Sequence, residues 1–203
     1  MKRLHILRSA ANAEKLVGDL PRHQCLVYTG APSTQLRALA VTMRERLEAN
    51  WRCLYLNSPP MVAGISSALA AAGVDVEHER RKGSLLLVSD QSHLKDGRFD
   101  PDIMLGRLRT EIADALADGY VGLWASGDMT WEFGPERDFA KLAEYERGLE
   151  ALFLAQPALS GICQYHADML PDEAVHQALT LHPTLYVNET LSRLNAQYEV
   201  AAE

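Results

Sequence analysis

Few side chains in this chain combine reactive chemistry with a position that could use it. One is Asp128, in Gly127-Asp128-Met129-Thr130-Trp131. The apolar run Val121–Ala125 before it, flanked by Gly119 and Gly127, reads as a strand buried on both faces, closed by the polar turn Ser126-Gly127-Asp128. In parallel α/β sheets the pocket lies beyond the carboxyl ends of the strands, which places Gly127, Asp128 and Trp131 where a ligand would be met. The plainer account, in which Asp128 caps its turn and Trp131 packs in the core, stays open. A second group pairs His23-Gln24-Cys25 with Cys163-Gln164-Tyr165-His166. If their strands are neighbours, His23, Cys25, Cys163 and His166 are candidate ligands for zinc or copper. Against that, cysteine inside an apolar strand usually acts as a small hydrophobe. The expectation is therefore no cofactor, with a metal or redox sensor as a further alternative.

Signatures of common enzymes are missing. A strand, a glycine-bearing turn and a helix invite comparison with the phosphate loop GxxxxGK[ST]. Here the turn runs Gly30-Ala31-Pro32-Ser33-Thr34-Gln35, without the second glycine or the lysine. Pro32 also removes an amide that a phosphate could have used. Anion binding at the helix start, helped by Ser33 and Thr34, remains physically open. There is no GxSxG elbow and no HExxH.

The elements that must position these residues alternate along the chain. Strands are expected at His23–Tyr28, Arg52–Leu56, Ser84–Val88, Gly161–Tyr165 and Thr184–Val187, besides the one before Asp128. Helices are expected at Thr34–Asn50, Met61–Ala72, about Asp102–Asp118, Asp138–Ala155 and residues 172–182. Val74–Glu77 reads as a minor strand, His78–Lys82 as a charged turn, and Gly97–Pro101 as a loop. Residues 9–20 suggest a leading helix. Leu191, Leu194 and Tyr198 would share one face of a helix in the tail. The resulting fold is α/β, three-layered, with a mostly parallel sheet flanked by helices.

At 203 residues, 47% hydrophobic and 23% charged, the chain is sized and composed as one folded domain. A net charge of -7 argues against nucleic-acid binding. No stretch has the length to span a membrane, and the expected location is the cytoplasm. Three cysteines in apolar contexts read as reduced thiols.

The chain resembles the sensory domain of methanogens, methylotrophs and the dichloromethane-responsive repressor, the MEDS family. The blocks that carry the resemblance are residues 23–28 (HQCLVY), 52–55 (RCLY), 97–101 (GRFDP), 127–131 (GDMTW), 144–146 (EYE), 163–165 (CQY) and 181–183 (LHP). The resemblance implies a RecA/KaiC-like fold with a degenerate phosphate loop, agreeing with the turn at Gly30–Gln35. It divides the chain into an extension (1–20), the sensory domain (21–188) and a helix or tail (189–203). It also implies that the Cys163 strand lies beside the first strand, which would bring Tyr28, Tyr165 and His166 near Asp128 and Trp131. The expected ligand site is then Tyr28, Ser33, Thr34, Asp128, Trp131, Tyr165 and His166. The implied role is a non-catalytic regulatory domain that binds a small hydrocarbon derivative and acts through a partner protein or a homo-oligomer. A residual nucleotide-binding or nucleotide-hydrolysing enzyme is the alternative.

Overall fold

The computed structural model describes residues 22–135, 137–188 and 191–194. The first strand, β1 (His23–Tyr28), is followed by a 3-10 turn at Pro32–Gln35 and helix α1 (Leu36–Glu48). Leu36, Leu39, Ala40 and Met43 recur along α1 at spacings of three and four and are its buried stripe. Then come β2 (Arg52–Leu56), α2 (Pro59–Ala71), α3 (Val76–Lys82) and β3 (Leu85–Val88). A small hairpin, β4 (Leu94–Lys95) and β5 (Arg98–Phe99), precedes α4 (Pro101–Ala117). After β6 (Leu123–Asp128) the chain makes one helical turn, α5 (Met129–Glu132). The last elements are α6 (Leu142–Ala155), β7 (Leu159–His166), α7 (Asp172–Leu181), β8 (Thr184–Asn188) and β9 (Leu191–Leu194).

Seven strands form the main sheet in the order β3-β2-β6-β7-β1-β8-β9. All neighbouring pairs are parallel except β8 and β9. Each face is covered by its own core. Leu39, Met43, Tyr55, Ile65 and Trp124 pack on one face with α1 and α2. Leu54, Met104, Leu149, Phe153 and Tyr165 pack on the other with α4 and α6. The expected three-layer α/β architecture is the one the chain adopts. Among the described residues no single helix is long and apolar enough to cross a membrane.

Four local expectations are corrected. Residues 74–82, read as a strand and a turn, hold α3 instead. Asp75 accepts the amide of His78 (3.0 Å), Glu77 and Glu79 sit in the first turn, and Arg80, Arg81 and Lys82 sit in the last. That arrangement caps the helix and opposes its dipole at both ends, which outweighs its short apolar pattern. Ser126–Asp128 belongs to β6 and is not a turn, because the polar residues find partners within the sheet: Ser126 Oγ donates to the Ile162 carbonyl (2.8 Å). The loop at residues 97–101 contributes a strand of the hairpin and the cap of α4. In the tail, Leu191–Leu194 is a strand antiparallel to β8, where a helix was expected; the open edge of β8 offers pairing groups that an amphipathic helix would leave unused. The expected leading helix at 9–20, and Tyr198, lie outside the described residues.

Candidate functional site

At the carboxyl end of β6, both oxygens of Asp128 are engaged. Oδ1 accepts the amides of Thr130 (2.8 Å) and Trp131 (3.3 Å), capping α5. Oδ2 accepts the Tyr28 hydroxyl (3.2 Å) and the Asn57 amide (3.4 Å), and Asn57 also donates to the Tyr55 hydroxyl (3.0 Å). The capping account of Asp128 and the site account are thus true of the same carboxylate. Burial, and then the negative charge of Asp128, raise the pKa of Tyr28 and keep its proton in place to donate. One strand away, His166 ends β7 opposite Tyr28, with ring centroids 4.8 Å apart. Its Nε2 donates to the Gly30 carbonyl (2.6 Å), and the Gly30 amide donates to Asp168 Oδ2 (2.7 Å). The turn after β1 is therefore held by a histidine and an acid from the exit of β7. Gly30 suits that turn because its backbone has φ 78°, in the left-handed region.

Tyr28, Asp128 and His166 come together as expected; the other four residues do not join them. Ser33 and Thr34 are exposed on the 3-10 turn, where Thr34 Oγ1 donates to Ala31 (2.8 Å). Trp131 gives its amide to Asp128, but its ring packs with the core of the other face, 5.3 Å from His93. Tyr165 also lies on that other face and donates its hydroxyl to Glu146. The physical reason is strand periodicity, since consecutive residues such as Tyr165 and His166 point to opposite faces.

Beneath the second face the single turn of α5 delivers Glu132, fully buried, back against the sheet. Its carboxyl occupies the space that a Cβ at Gly127 would need. Burial, reinforced by the negative charges of Glu146 and Asp128, lifts its pKa to about 8, and Tyr145 is hydrogen-bonded to it. Among the described residues its Oε2 has no hydrogen-bond partner. Beside it lies a cavity of about 30 Å³, lined by Leu56, Leu108, Ala125, Met129 and Cys163 among others. Glu132 is a residue that sequence reasoning missed. Its signal was an acid four residues after a buried strand's end, inside a mostly apolar segment.

Farther along the same face, four ligand-type atoms converge: Nε2 of His23, Oε2 of Glu146, Sγ of Cys163 and Nε2 of His182, all within 4.8 Å of one another and all buried. Of the expected metal candidates, His23 and Cys163 meet here (3.6 Å). Cys25, the register partner of Cys163, supplies no atom to the group, and His166 lies on the opposite face. All three cysteines are buried free thiols. Glu146 and His182 were not picked out as ligands. An acid on the buried stripe of α6, beside Tyr145 and Leu149, is the feature that marks Glu146.

The profile of the MEthanogen/methylotroph, DcmR Sensory (MEDS) domain matches residues 22–183. No curated protein matches the sequence. Among solved structures, the crystal structure of flagellar accessory protein FlaH from Methanocaldococcus jannaschii is similar, with a TM-score of 0.52 and 12% identity over 90% of this chain and 79% of that one. FlaH has a RecA-like fold, and the likeness concerns the fold alone.

Proposed function

The chain belongs to the MEDS family of sensory domains, and from that premise we propose that it is a non-catalytic receptor for a small, mostly apolar organic molecule. The observation that carries the reading is the small, half-enclosed cavity beside Glu132, apolar but for Tyr145 and for a carboxyl whose Oε2 has no hydrogen-bond partner among the described residues. A void of this size exceeds what one water needs and suits a molecule of one to three heavy atoms. An apolar wall with a few polar groups is the usual composition of a small-ligand site. With its pKa near 8, Glu132 carries a proton at neutral pH and offers one hydrogen bond.

The output runs through α5. A ligand that engages Glu132 shifts a single helical turn whose cap is Asp128, and Asp128 in turn holds Tyr28 and Asn57. Tyr28 and His166 adjoin the exposed turn at Gly30–Gln35, and that surface is where a regulatory protein partner would read the change. In this reading Tyr28, Asp128 and His166 transmit, with Ser33 and Thr34 at the docking surface.

The test is a calorimetric and thermal-shift titration with one- and two-carbon alcohols, amines and monohalides. One of these classes is expected to raise the melting temperature of the full chain. Ala125→Val, which fills the cavity, should weaken that effect at least about tenfold, the cost of one misplaced methyl group or two. A compound that stabilises the wild type and Ala125→Val equally places its site elsewhere.

A further inference from the structure

We infer that His23, Glu146, Cys163 and His182 form a closed, four-coordinate site for a divalent metal ion of the zinc class. Three of the six donor–donor distances match the edges of a small tetrahedron, and all six lie within 4.8 Å. His23 Nε2 is 3.6 Å from Cys163 Sγ and 3.6 Å from Glu146 Oε2, and His182 Nε2 is 3.4 Å from the same oxygen. Tetrahedral zinc with its usual bonds to nitrogen, oxygen and sulfur sets neighbouring donors roughly 3.3–3.6 Å apart.

The orientation of each donor points the same way. His23 Nδ1 is 2.8 Å from Glu150 Oε2, and His182 Nδ1 is 2.8 Å from the Ala178 carbonyl oxygen. Both partners accept, so each Nδ1 carries the proton, and each Nε2 turns a lone pair inward. Metal-bound histidines are oriented by this kind of second contact, to a carboxylate or a backbone carbonyl. Glu146 is likewise fixed, with Oε1 accepting from Tyr165, while the buried Oε2 has no hydrogen-bond partner among the described residues. The lone pairs of the two imidazoles thus face Glu146 Oε2 at 3.4–3.6 Å, an arrangement that calls for either a proton on that oxygen or a cation between the three groups.

Charge and donor type select the ion. Two neutral imidazoles, one thiolate and one carboxylate balance a dication to zero, which removes most of the penalty of burying an ion in an apolar core. Mixed sulfur, nitrogen and oxygen donors in a tetrahedron favour zinc over magnesium or calcium. Binding releases the Cys163 thiol proton, and the Glu146 carboxyl proton where one is present. With all four positions taken by buried protein ligands, the site is of the structural kind, clamping β1 and β7 to α6 and the end of α7.

The full-length protein, purified without a histidine tag from zinc-supplemented cells, is expected to hold about one zinc per chain. Refolding with cobalt in its place should give tetrahedral d–d bands and a thiolate-to-cobalt charge-transfer band. That band should vanish in Cys163→Ser and persist in Cys25→Ser. Glu150→Gln, which touches no donor atom, should lower zinc affinity by roughly tenfold to a hundredfold and keeps the test intact if Cys163→Ser does not fold. Zinc-free protein that melts at the same temperature with and without added zinc overturns the inference. So does a charge-transfer band that survives Cys163→Ser, or a zinc affinity unchanged in Glu150→Gln.

Discussion

Glu132 and Gly127 act as one unit. The carboxyl of Glu132 fills the place of a Cβ at Gly127, so Gly127→Ala forces the acid to move. Overpacking of this kind costs about 1–3 kcal/mol. Removing the acid removes the clash, so Gly127→Ala combined with Glu132→Ala should be less destabilised than the two single changes summed, as a double-mutant cycle of chemical denaturation would read. The acid also gives stability a pH dependence. Its folded pKa is about 8, above the ordinary glutamate value of 4.5, so the folded state binds more protons than the unfolded one between those values. The stability it lends is complete below about pH 4.5 and is lost as pH rises through about 8. The melting temperature should fall over that window, and Glu132→Gln should flatten the decline. A slope of equal steepness in Glu132→Gln assigns the proton to another group. At this scale the sequence was a partial guide. The carboxylate at the end of β6 was legible because the apolar run pointed to it. Grouping Tyr165 with His166 was an error that strand periodicity alone corrects, and Trp131 went astray because the chain turns into a helix directly after Asp128.

The turn after β1 decides the nucleotide question at the level of elements. A phosphate cradle works by offering unclaimed amides and a cation. Here Pro32 has no amide, no lysine follows, and the Gly30 amide is already given to the Asp168 carboxylate at 2.7 Å. An anion entering this turn would meet a fixed negative charge. ATP with magnesium should therefore leave the melting temperature unchanged and show no calorimetric binding. Micromolar affinity, or hydrolysis abolished by Asp128→Asn, would restore the nucleotide-enzyme reading. The elements themselves were largely visible as alternating apolar runs and amphipathic stripes. The exception at residues 74–82 shows why: with only Val76 buried, α3 has little apolar face to announce it, and it is defined by its caps and charges.

Across the whole molecule, positions 23, 146, 163 and 182, far apart in sequence, meet only because the sheet order places β7 beside β1 and α6 over both. No spacing rule reaches over such separations, and so the cluster was half seen from sequence, through His23 and Cys163. The far edge of the same sheet supplies the last prediction. Strand β9 pairs antiparallel with β8 from Thr184 with Leu194 to Asn188 with Leu191, with a shift of register between Tyr186 and Asn188. A chain ending at Asn188 would keep β8 but leave its outer hydrogen-bonding groups unpaired. An uncovered strand edge is a template for another copy of itself. Loss of β9 should therefore raise the apparent mass in light scattering as well as lower the melting temperature, where a detached tail would alter neither. If the shortened chain is instead a stable monomer derived from a full-length dimer, then residues beyond Asn188 are the contact between copies. The edge of β8 would then be sealed by some other means.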